Sequence, residues 1–336
     1  MRRPLRTARI IAALLLGAAF LAGCDQGSRR PGGAAREQVT FAVVPLPLSA
    51  PVYVAAEKGY FRDEGLNVTL AAYSSGKEAL TAVIAGTAAF GVTAETPVVY
   101  AVLQGAAVSV IATIAETDSS TKIVARKDRG IHAPEDLRGK RIGVTSGTNN
   151  EFFLYSFLLF NEMSSREVRT VDIGADQIPG ALLRGEVDAV SIWEPHVSVL
   201  EEKLGDKALV FHSKALYVMS WNVVSRQELV ARSPGTVRKI LHALSRAEEL
   251  IAANGEEARK ITASAAGTDL RILARQWNAY TFNLSLSQTL LLSLEEQARW
   301  ALAGCCPEAE MPNFLTFMHA EALTTVAPEA VTLIHE

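Results

Sequence analysis

The chain has 336 residues, of which 49% are hydrophobic and 21% charged, a composition typical of a globular protein with a sizeable core. Its 36 acidic residues outnumber its 33 Lys and Arg residues, and no basic stripe interrupts the sequence, which argues against nucleic acid as a partner. The 3 cysteines and 6 histidines lack the spacing of a disulfide framework or a zinc site. We therefore expect neither a metal nor a cofactor.

Residues 1–23 have the pattern of a secretory signal peptide. Four arginines precede an apolar run over residues 10–22, which at about 13 residues is too short to span a bilayer comfortably. The run ends in Leu21-Ala22-Gly23-Cys24, which resembles the lipobox of bacterial lipoproteins, whose cysteine is acylated and becomes the new N-terminus. The alternative is an ordinary signal with a chance cysteine. The resemblance implies lipidation at Cys24, with a palmitate-type acyl anchor on the periplasmic or extracellular face of a bacterial membrane.

Two features of the following segment refine this expectation. Asp25 resembles the residue that retains some Gram-negative lipoproteins in the inner membrane. Residues 24–38 are rich in Gly, Pro and charged residues without an apolar period, which predicts a flexible tether between the lipid and the folded body.

From Val39 onward, short β-branched runs alternate with helical patterns. The first series has predicted strands at Val39–Val44, Leu66–Tyr73, Ala88–Val92 and Val108–Ala115, with helices at Val52–Lys58, Glu78–Ile84 and Pro97–Leu103. The second has strands at Ile123–Arg126, Arg141–Val144, Val168–Ile173, Val187–Ile192 and Ala208–Phe211, with helices at Thr148–Asn161, Gln177–Leu183 and Glu194–Lys203. Such alternation implies mostly parallel sheets with helices on both faces.

The last third of the chain is predicted to be helical after one returning strand. That strand is Leu216–Val224, and the helices begin at Ser233-Pro234 and continue at Glu256–Ala265, Asp269–Ala279, Ser287–Ala303 and Asn313–Leu323. We expect Cys305-Cys306 to end a helix with buried thiols. The fold class is therefore α/β, with two lobes and a cleft between them. Lobe 1 comprises residues 39–120 and 222–336, and lobe 2 comprises residues 121–221.

The loops after the strands are the predicted binding loops, because open parallel sheets bind ligands outside the carboxyl ends of their strands. Ser49 is expected to cap the helix that follows it. Ser75 with Glu78, and Thr148 with Glu151, have the spacing of a capping box. A helix start of this kind binds anions when its free N–H groups and dipole face a ligand, although a capping box alone is commonly only structural.

Three further motifs resemble those of a known family. They are AAEKGYFRDEGLNV at residues 55–68, GEVDA at residues 185–189 followed by Trp193-Glu194-Pro195, and VAPEAV at residues 326–331. In this order they are similar to the NMT1/THI5-like solute-binding lipoproteins of ABC transporters, which serve nitrate, sulfonates, taurine and thiamine precursors. The resemblance implies a periplasmic-binding-protein fold of type II, a small-molecule solute between the lobes, and a membrane permease as partner. It implies a monomer that is not an enzyme.

The family's cleft loops, carried over position by position, imply a set of ligand-binding residues. They are Pro47, Ser49, Ser75, Thr93, Glu95, Ser119, Ser146, Thr148, Asn149, Glu194 and Trp221. Trp193 could wall the pocket, although an aromatic residue after a strand is more often part of the core. Glu95 and Glu194 could instead be acids at helix starts, favoured there by the helix dipole.

The solute and the function remain open between alternatives at this point. Helix starts favour an oxyanion such as a sulfonate or carboxylate, whereas Glu95 and Glu194 would suit an amine or aminopyrimidine if they faced the cleft. An enzyme of pyrimidine or menaquinone biosynthesis on the same fold is a second hypothesis. The export signal and the lack of a Cys-rich iron-binding motif argue against it. A sensory protein that presents its ligand to a receptor is a third.

Overall fold

The structure is a computed structural model that describes residues 36–214, 216–306 and 308–334. The signal at residues 1–23, the lipidation site Cys24 and most of the predicted tether lie outside these residues. Arg36–Glu336 forms one compact unit. Over the residues described, no helix combines the length and the apolar character needed to cross a membrane.

The first sheet contains strands from both sides of the segment that forms the second sheet. Its strands are β1 (Glu37–Val43), β2 (Leu66–Ala72), β3 (Phe90–Thr93), β4 (Val108–Thr117) and β10 (Met219–Arg226). The order is β2-β1-β3-β10-β4, in which β1 pairs parallel with β2 and β3, whereas β10 is antiparallel to β3 and β4. Almost every residue of β4 is buried, as expected of a strand covered on both faces.

The second sheet is formed by the middle of the chain. Its strands are β5 (Thr121–Arg126), β6 (Arg141–Val144), β7 (Arg169–Asp172), β8 (Ala189–Trp193) and β9 (Ala208–Phe211). The order is β7-β6-β8-β5-β9, with β6 parallel to β7 and β8, and β5 antiparallel to β8 and β9. The one reversed strand of each sheet, β5 or β10, is the strand that the chain enters after leaving the other sheet. Four of the five strands of each sheet therefore run in the same direction, as predicted for a mostly parallel sheet, but the reversed strand makes two of the four strand pairs antiparallel.

The helices cover the two sheets and form most of the C-terminal part. In the first series they are α1 (Ala50–Glu57), α2 (Tyr60–Asp63), α3 (Gly76–Ile84) and α4 (Glu95–Leu103), and in the second α5 (Asn149–Phe160), α6 (Ile178–Arg184) and α7 (His196–Leu204). The C-terminal ones are α8 (Gln227–Arg232), α9 (Pro234–Ala253), α10 (Gly255–Ala266), α11 (Leu270–Gln276), α12 (Gln288–Cys305) and α13 (Ala320–Val326). A two-stranded ladder pairs β11 (Leu286–Ser287) with β12 (Val331–Thr332).

The differences from the predicted elements are confined to short or C-terminal segments. Residues 313–323 were predicted as one helix, but they form a 3₁₀ turn at Phe314–Phe317, followed by the start of α13. The predicted helix at residues 269–279 ends as α11 at Gln276 and continues as a 3₁₀ turn. α2, α8 and the β11–β12 ladder were not predicted, because elements of two to six residues carry too little period to be identified. α12 does end at Cys305, but Cys306 is exposed, so the expectation of buried thiols was wrong there.

Candidate functional site

A cavity lies where the strand ends of both sheets meet. Ala94 follows β3 of the first sheet, Trp193 ends β8 of the second, and Met219 and Trp221 lie on the returning strand β10. The residues that line it are Leu46, Gly76, Lys77, Ala94, Pro97, Thr148, Asn149, Trp193, Met219 and Trp221. About 10 Å³ of the space can hold the centre of a water molecule, which is the room that one buried water needs. A larger solute therefore requires the walls to move apart.

One wall is the start of α3, where a side chain would not fit. A Cβ atom on Gly76 would lie 2.8 Å from Thr93 Oγ1, 3.0 Å from Thr93 Cα and 3.2 Å from the Trp221 ring. Ser75 caps this helix, since its hydroxyl accepts a hydrogen bond from the Glu78 N–H at 3.2 Å. Glu78 accepts in return from the Ser74 N–H at 3.2 Å, one residue earlier than a standard capping box. The predicted cap at Ser75 is therefore confirmed, with this shift.

The opposite wall is the start of α5, whose capping differs from the prediction. The Thr148 hydroxyl donates backwards to the Thr145 carbonyl at 2.7 Å and makes no cap, while Glu151 accepts from the Gly147 N–H at 2.7 Å. The predicted Thr148–Glu151 box was therefore wrong in its partners. The Asn149 amide donates to Thr121 Oγ1 and to Met219 Sδ, each at 3.0 Å.

The predicted cap at Ser49 was also wrong. Its hydroxyl donates to the Val44 carbonyl at 2.9 Å and accepts a hydrogen bond from the Trp221 indole N–H at 3.2 Å. The Ser49 side chain thus holds Trp221 against the cavity instead of capping the helix that follows it.

Lys77 connects the two walls directly. Its ammonium group donates a hydrogen bond to the Ser146 carbonyl at 2.8 Å, across from the first sheet to the loop after β6 of the second. The next residue, Gly147, adopts a positive φ of 75°, and a Cβ atom there would lie 3.3 Å from Lys77 Nζ. Among the lining residues that the structure describes, Lys77 is the one charged side chain.

Two buried polar atoms, one in the cavity wall and one behind it, have no hydrogen-bond partner in the part of the chain that the structure describes. They are the hydroxyl oxygen of Thr93, at the end of β3, and the indole nitrogen of Trp193, at the end of β8. Both residues are more than nine-tenths buried. A buried donor without a partner costs about 1–3 kcal/mol, so a solute atom that accepts from it would recover that cost.

The two acidic residues of the predicted site face away from the cavity. Glu95 accepts hydrogen bonds from the Tyr217 hydroxyl and the Ser220 N–H, each at 2.7 Å. Burial raises the pKa of Glu95 to about 7, although both of these hydrogen bonds oppose the shift. Glu194 accepts from the Lys122 ammonium and from the Ser198 N–H, each at 3.0 Å. Neither residue is among the described residues that line the cavity.

The predicted binding residues divide into those that line the cavity and those behind or beside it. Thr148, Asn149 and Trp221 line it. Thr93, Ser75 and Ser49 are buried directly behind Gly76 or Trp221, and Pro47 follows the lining residue Leu46. Ser146 contributes its carbonyl to Lys77. Ser119 is not among the described lining residues, and its hydroxyl donates to its neighbour Asp118.

The lining residues absent from the predicted set are mostly apolar. They are Leu46, Gly76, Lys77, Ala94, Pro97, Trp193 and Met219. Each lies within a few residues of a predicted strand end or at a crossing between the sheets, and that placement was the available signal. Polar residues were favoured because they form specific contacts, whereas pocket walls are predominantly apolar.

Comparison with known proteins gives the chain a family and a fold. A family model described as "NMT1/THI5 like" matches residues 47–258. The taurine-binding periplasmic protein of Escherichia coli is 26% identical over 208 residues, which cover 61% of this chain and 64% of that protein. A relative in Brucella abortus is 26% identical over 213 residues, which cover 62% of this chain and 65% of its own length. The match thus spans less than two thirds of the length of these curated relatives.

A solved structure extends the likeness over the compact unit. The alkanesulfonate-binding protein SsuA of Xanthomonas axonopodis pv. citri, bound to MOPS, has a TM-score of 0.71 at 17% identity. The match covers 85% of this chain and 99% of that one. At this identity the likeness shows the fold, a periplasmic-binding-protein fold with a cleft between two α/β sheets. With the family match over residues 47–258, the chain belongs to the NMT1/THI5-like family.

Proposed function

We propose that this chain is the extracytoplasmic solute-binding component of an ABC importer, and that it captures a small organic anion between its two sheets. The observation that carries the proposal is the charge arrangement of the cavity. Lys77 lies between two helix starts, and the carboxylates of Glu95 and Glu194 are turned into the protein. A helix start with free N–H groups and a nearby ammonium group favours an anion. The apolar lining suits a short organic body on that anion.

The proposed mechanism is a population shift between an open and a closed arrangement. A solute that contacts both sheets binds the closed form better than the open one, by the free energy of the contacts made only on closure. The division of the strands supports such a motion, because the second sheet lies within residues 121–211 and the first takes its strands from both sides of that range, with the predicted boundary at residues 221–222 falling inside β10. The structural neighbour named for alkanesulfonate binding supports the choice of an organic anion, and the taurine-binding relative shares with it only the sulfonate group of the ligand.

The predicted lipid anchor at Cys24 belongs to the same proposal. A tether to the membrane raises the effective concentration of the binding protein near a permease. Several acyl chains would hold the protein firmly, since each buried methylene contributes about 0.8 kcal/mol. We expect a monomer that docks on the permease and catalyses no reaction of its solute.

The solute class is tested by thermal shift of the full-length chain in detergent with sulfonates, carboxylates, amines and pyrimidines. Stabilisation by anions, with loss of uptake of the same anion on deletion of the gene, is the expected result. Stabilisation by amines alone would contradict the proposed class. Stabilisation without any uptake defect would favour the sensory hypothesis, and conversion of the solute would favour an enzyme.

The anchor is tested by growing cells with radiolabelled palmitate. Label in the wild-type chain and none in Cys24→Ala is expected, with Cys306→Ala as the matched control that keeps its label. Wild-type protein that stays unlabelled would contradict the lipoprotein interpretation without affecting the solute proposal.

A further inference from the structure

The described lining offers a solute hydrogen-bond donors, one of them charged, and only uncharged acceptors. The side-chain donors are the Lys77 ammonium group, which already donates to the Ser146 carbonyl, and the Trp193 indole N–H, which has no partner among the residues that the structure describes. On the acceptor side, the Thr148 hydroxyl donates its proton to the Thr145 carbonyl and keeps uncharged lone pairs. The amide oxygen of Asn149 is an uncharged acceptor, and no described lining residue carries a carboxylate.

This imbalance has opposite consequences for acceptors and for cations on the solute. An acceptor atom that meets the Trp193 N–H satisfies a donor whose burial is already costly. An ammonium group on the solute would instead lose its water next to Lys77, with no carboxylate in the lining to neutralise it. Of the nearby acids, Glu95 and Glu194 are each held by two donors elsewhere, and Glu151 accepts a hydrogen bond from the Gly147 N–H.

We propose that the solute is an organic anion whose remaining polar atoms are acceptors, that the Trp193 indole N–H selects it, and that aminosulfonates are rejected. The inference rests on the proposed function and narrows its substrate class. Trp193 lies at the end of β8 in the second sheet, and Lys77 lies in α3, which packs on the first sheet. A solute in the cavity would therefore meet hydrogen-bond donors from both sides. Trp221 has no such role, because its indole N–H already donates to Ser49 at 3.2 Å.

The substrate class is tested by calorimetric titration of the full-length chain in detergent with ethanesulfonate, isethionate and taurine. These probes share one skeleton and end in a methyl, a hydroxyl and an ammonium group. Butanesulfonate and 4-aminobutanesulfonate form a longer pair. We expect each amine to bind about 10-fold or more weakly than its methyl-ended counterpart. Equal or tighter binding of the amines would overturn the inference. If neither these probes nor the carboxylates of the thermal-shift panel bind, the proposed function itself fails.

The role of Trp193 is tested by replacing it with benzothienylalanine, which keeps the fused ring and lacks the N–H. We expect an unchanged melting temperature without solute and an isethionate affinity lowered about 5-fold or more. The same replacement at Trp221 is the matched control, and it lowers the melting temperature because a buried hydrogen bond to Ser49 is lost. Unchanged isethionate affinity in the Trp193 variant, or a melting temperature lowered as much as in the Trp221 variant, would overturn the assignment.

Discussion

Glu95 and Glu194 each follow a strand that ends at the cavity, yet neither carboxylate lines it. A buried carboxylate is stable only where donors surround it, and both residues find donors in the protein. For Glu95 these are the Tyr217 hydroxyl and the Ser220 N–H, and for Glu194 the Lys122 ammonium and the Ser198 N–H. Ser220 is far from Glu95 in the sequence, so no local pattern could reveal this pairing. The sequence located these acids near the site but did not determine which way they face.

The buried pair of Glu95 and Tyr217 makes stability depend on pH near neutrality. The pKa of Glu95 is raised from 4.5 to about 7 in the folded protein, so the folded state holds a proton that the unfolded state releases between these values. The stabilisation is complete below pH 4.5 and is lost as the pH rises through 7. In Glu95→Gln, the amide oxygen can accept from Ser220 while its NH₂ group donates to the Tyr217 oxygen.

We therefore expect wild type to lose roughly 2–3 kcal/mol of unfolding free energy between pH 4.5 and 8 relative to Glu95→Gln. Urea titrations at several pH values measure the difference, with the exposed Glu57→Gln as control. Parallel pH profiles for wild type and Glu95→Gln would contradict the assignment.

Thr93 provides a test in which a buried hydroxyl is removed without changing shape. Its Oγ1 has no partner among the described residues, whereas the equally buried Thr113 hydroxyl donates to Asn222 at 2.7 Å. Thr93→Val should leave the free energy of unfolding unchanged or raise it, and Thr113→Val should lower it by about 1–3 kcal/mol. Chemical denaturation of both variants measures this. Equal losses in the two would show that the Thr93 hydroxyl has a partner in solution.

At the scale of elements, the strands were the most predictable part of the molecule. Val39–Val44 and Arg141–Val144 were placed within two residues of β1 and β6, because β-branched runs between turn residues are specific to buried strands. The positions of the helix starts were predicted, but the hydrogen bonds made by the residues that precede them were not. Ser49 and Thr148 are the two examples. A hydroxyl before a helix can cap forwards or bond backwards to a nearby carbonyl, and tertiary packing decides between them. The prediction of a single helix at residues 313–323 failed, because the apolar spacing there fits a 3₁₀ turn followed by a helix as well as it fits one helix.

The start of α3 can be tested through the glycine that lets it approach β3. In Gly76→Ala, the new methyl group would meet Thr93 Oγ1 at 2.8 Å and the Trp221 ring at 3.2 Å. We expect a loss of about 1–3 kcal/mol from the strain of overpacking, together with a shifted Trp fluorescence spectrum. Gly235→Ala, in the first turn of α9, has open space around the added Cβ and should be neutral or slightly stabilising. Equal stability of the two variants would show that α3 can move away from β3 freely.

At the scale of the whole molecule, the cleft was predictable in outline and its closure was not. Two crossings between alternating series already implied two lobes, whereas the contacts that join them link residues far apart in the chain. Lys77 donates to the Ser146 carbonyl at 2.8 Å, and Gln276 Nε2 donates to Ser198 Oγ at 2.7 Å. Both bonds join the first sheet's side of the cleft to the second. They hold the halves so close that the cavity has room for about one water.

Removal of the Lys77 bond should therefore open the molecule. In Lys77→Met the stem keeps its length but the donor is lost, so the equilibrium shifts toward the open arrangement, and an anionic solute also loses its counter-charge. We expect a larger radius of gyration in small-angle scattering without solute and an affinity for ethanesulfonate weaker by about 10-fold or more. Lys260→Met is the control, because Lys260 pairs with Glu256 within α10 and spans no cleft. A scattering profile identical to that of wild type would mean that the other contacts across the cleft hold it closed. Unchanged ethanesulfonate affinity would mean that Lys77 does not face the anion.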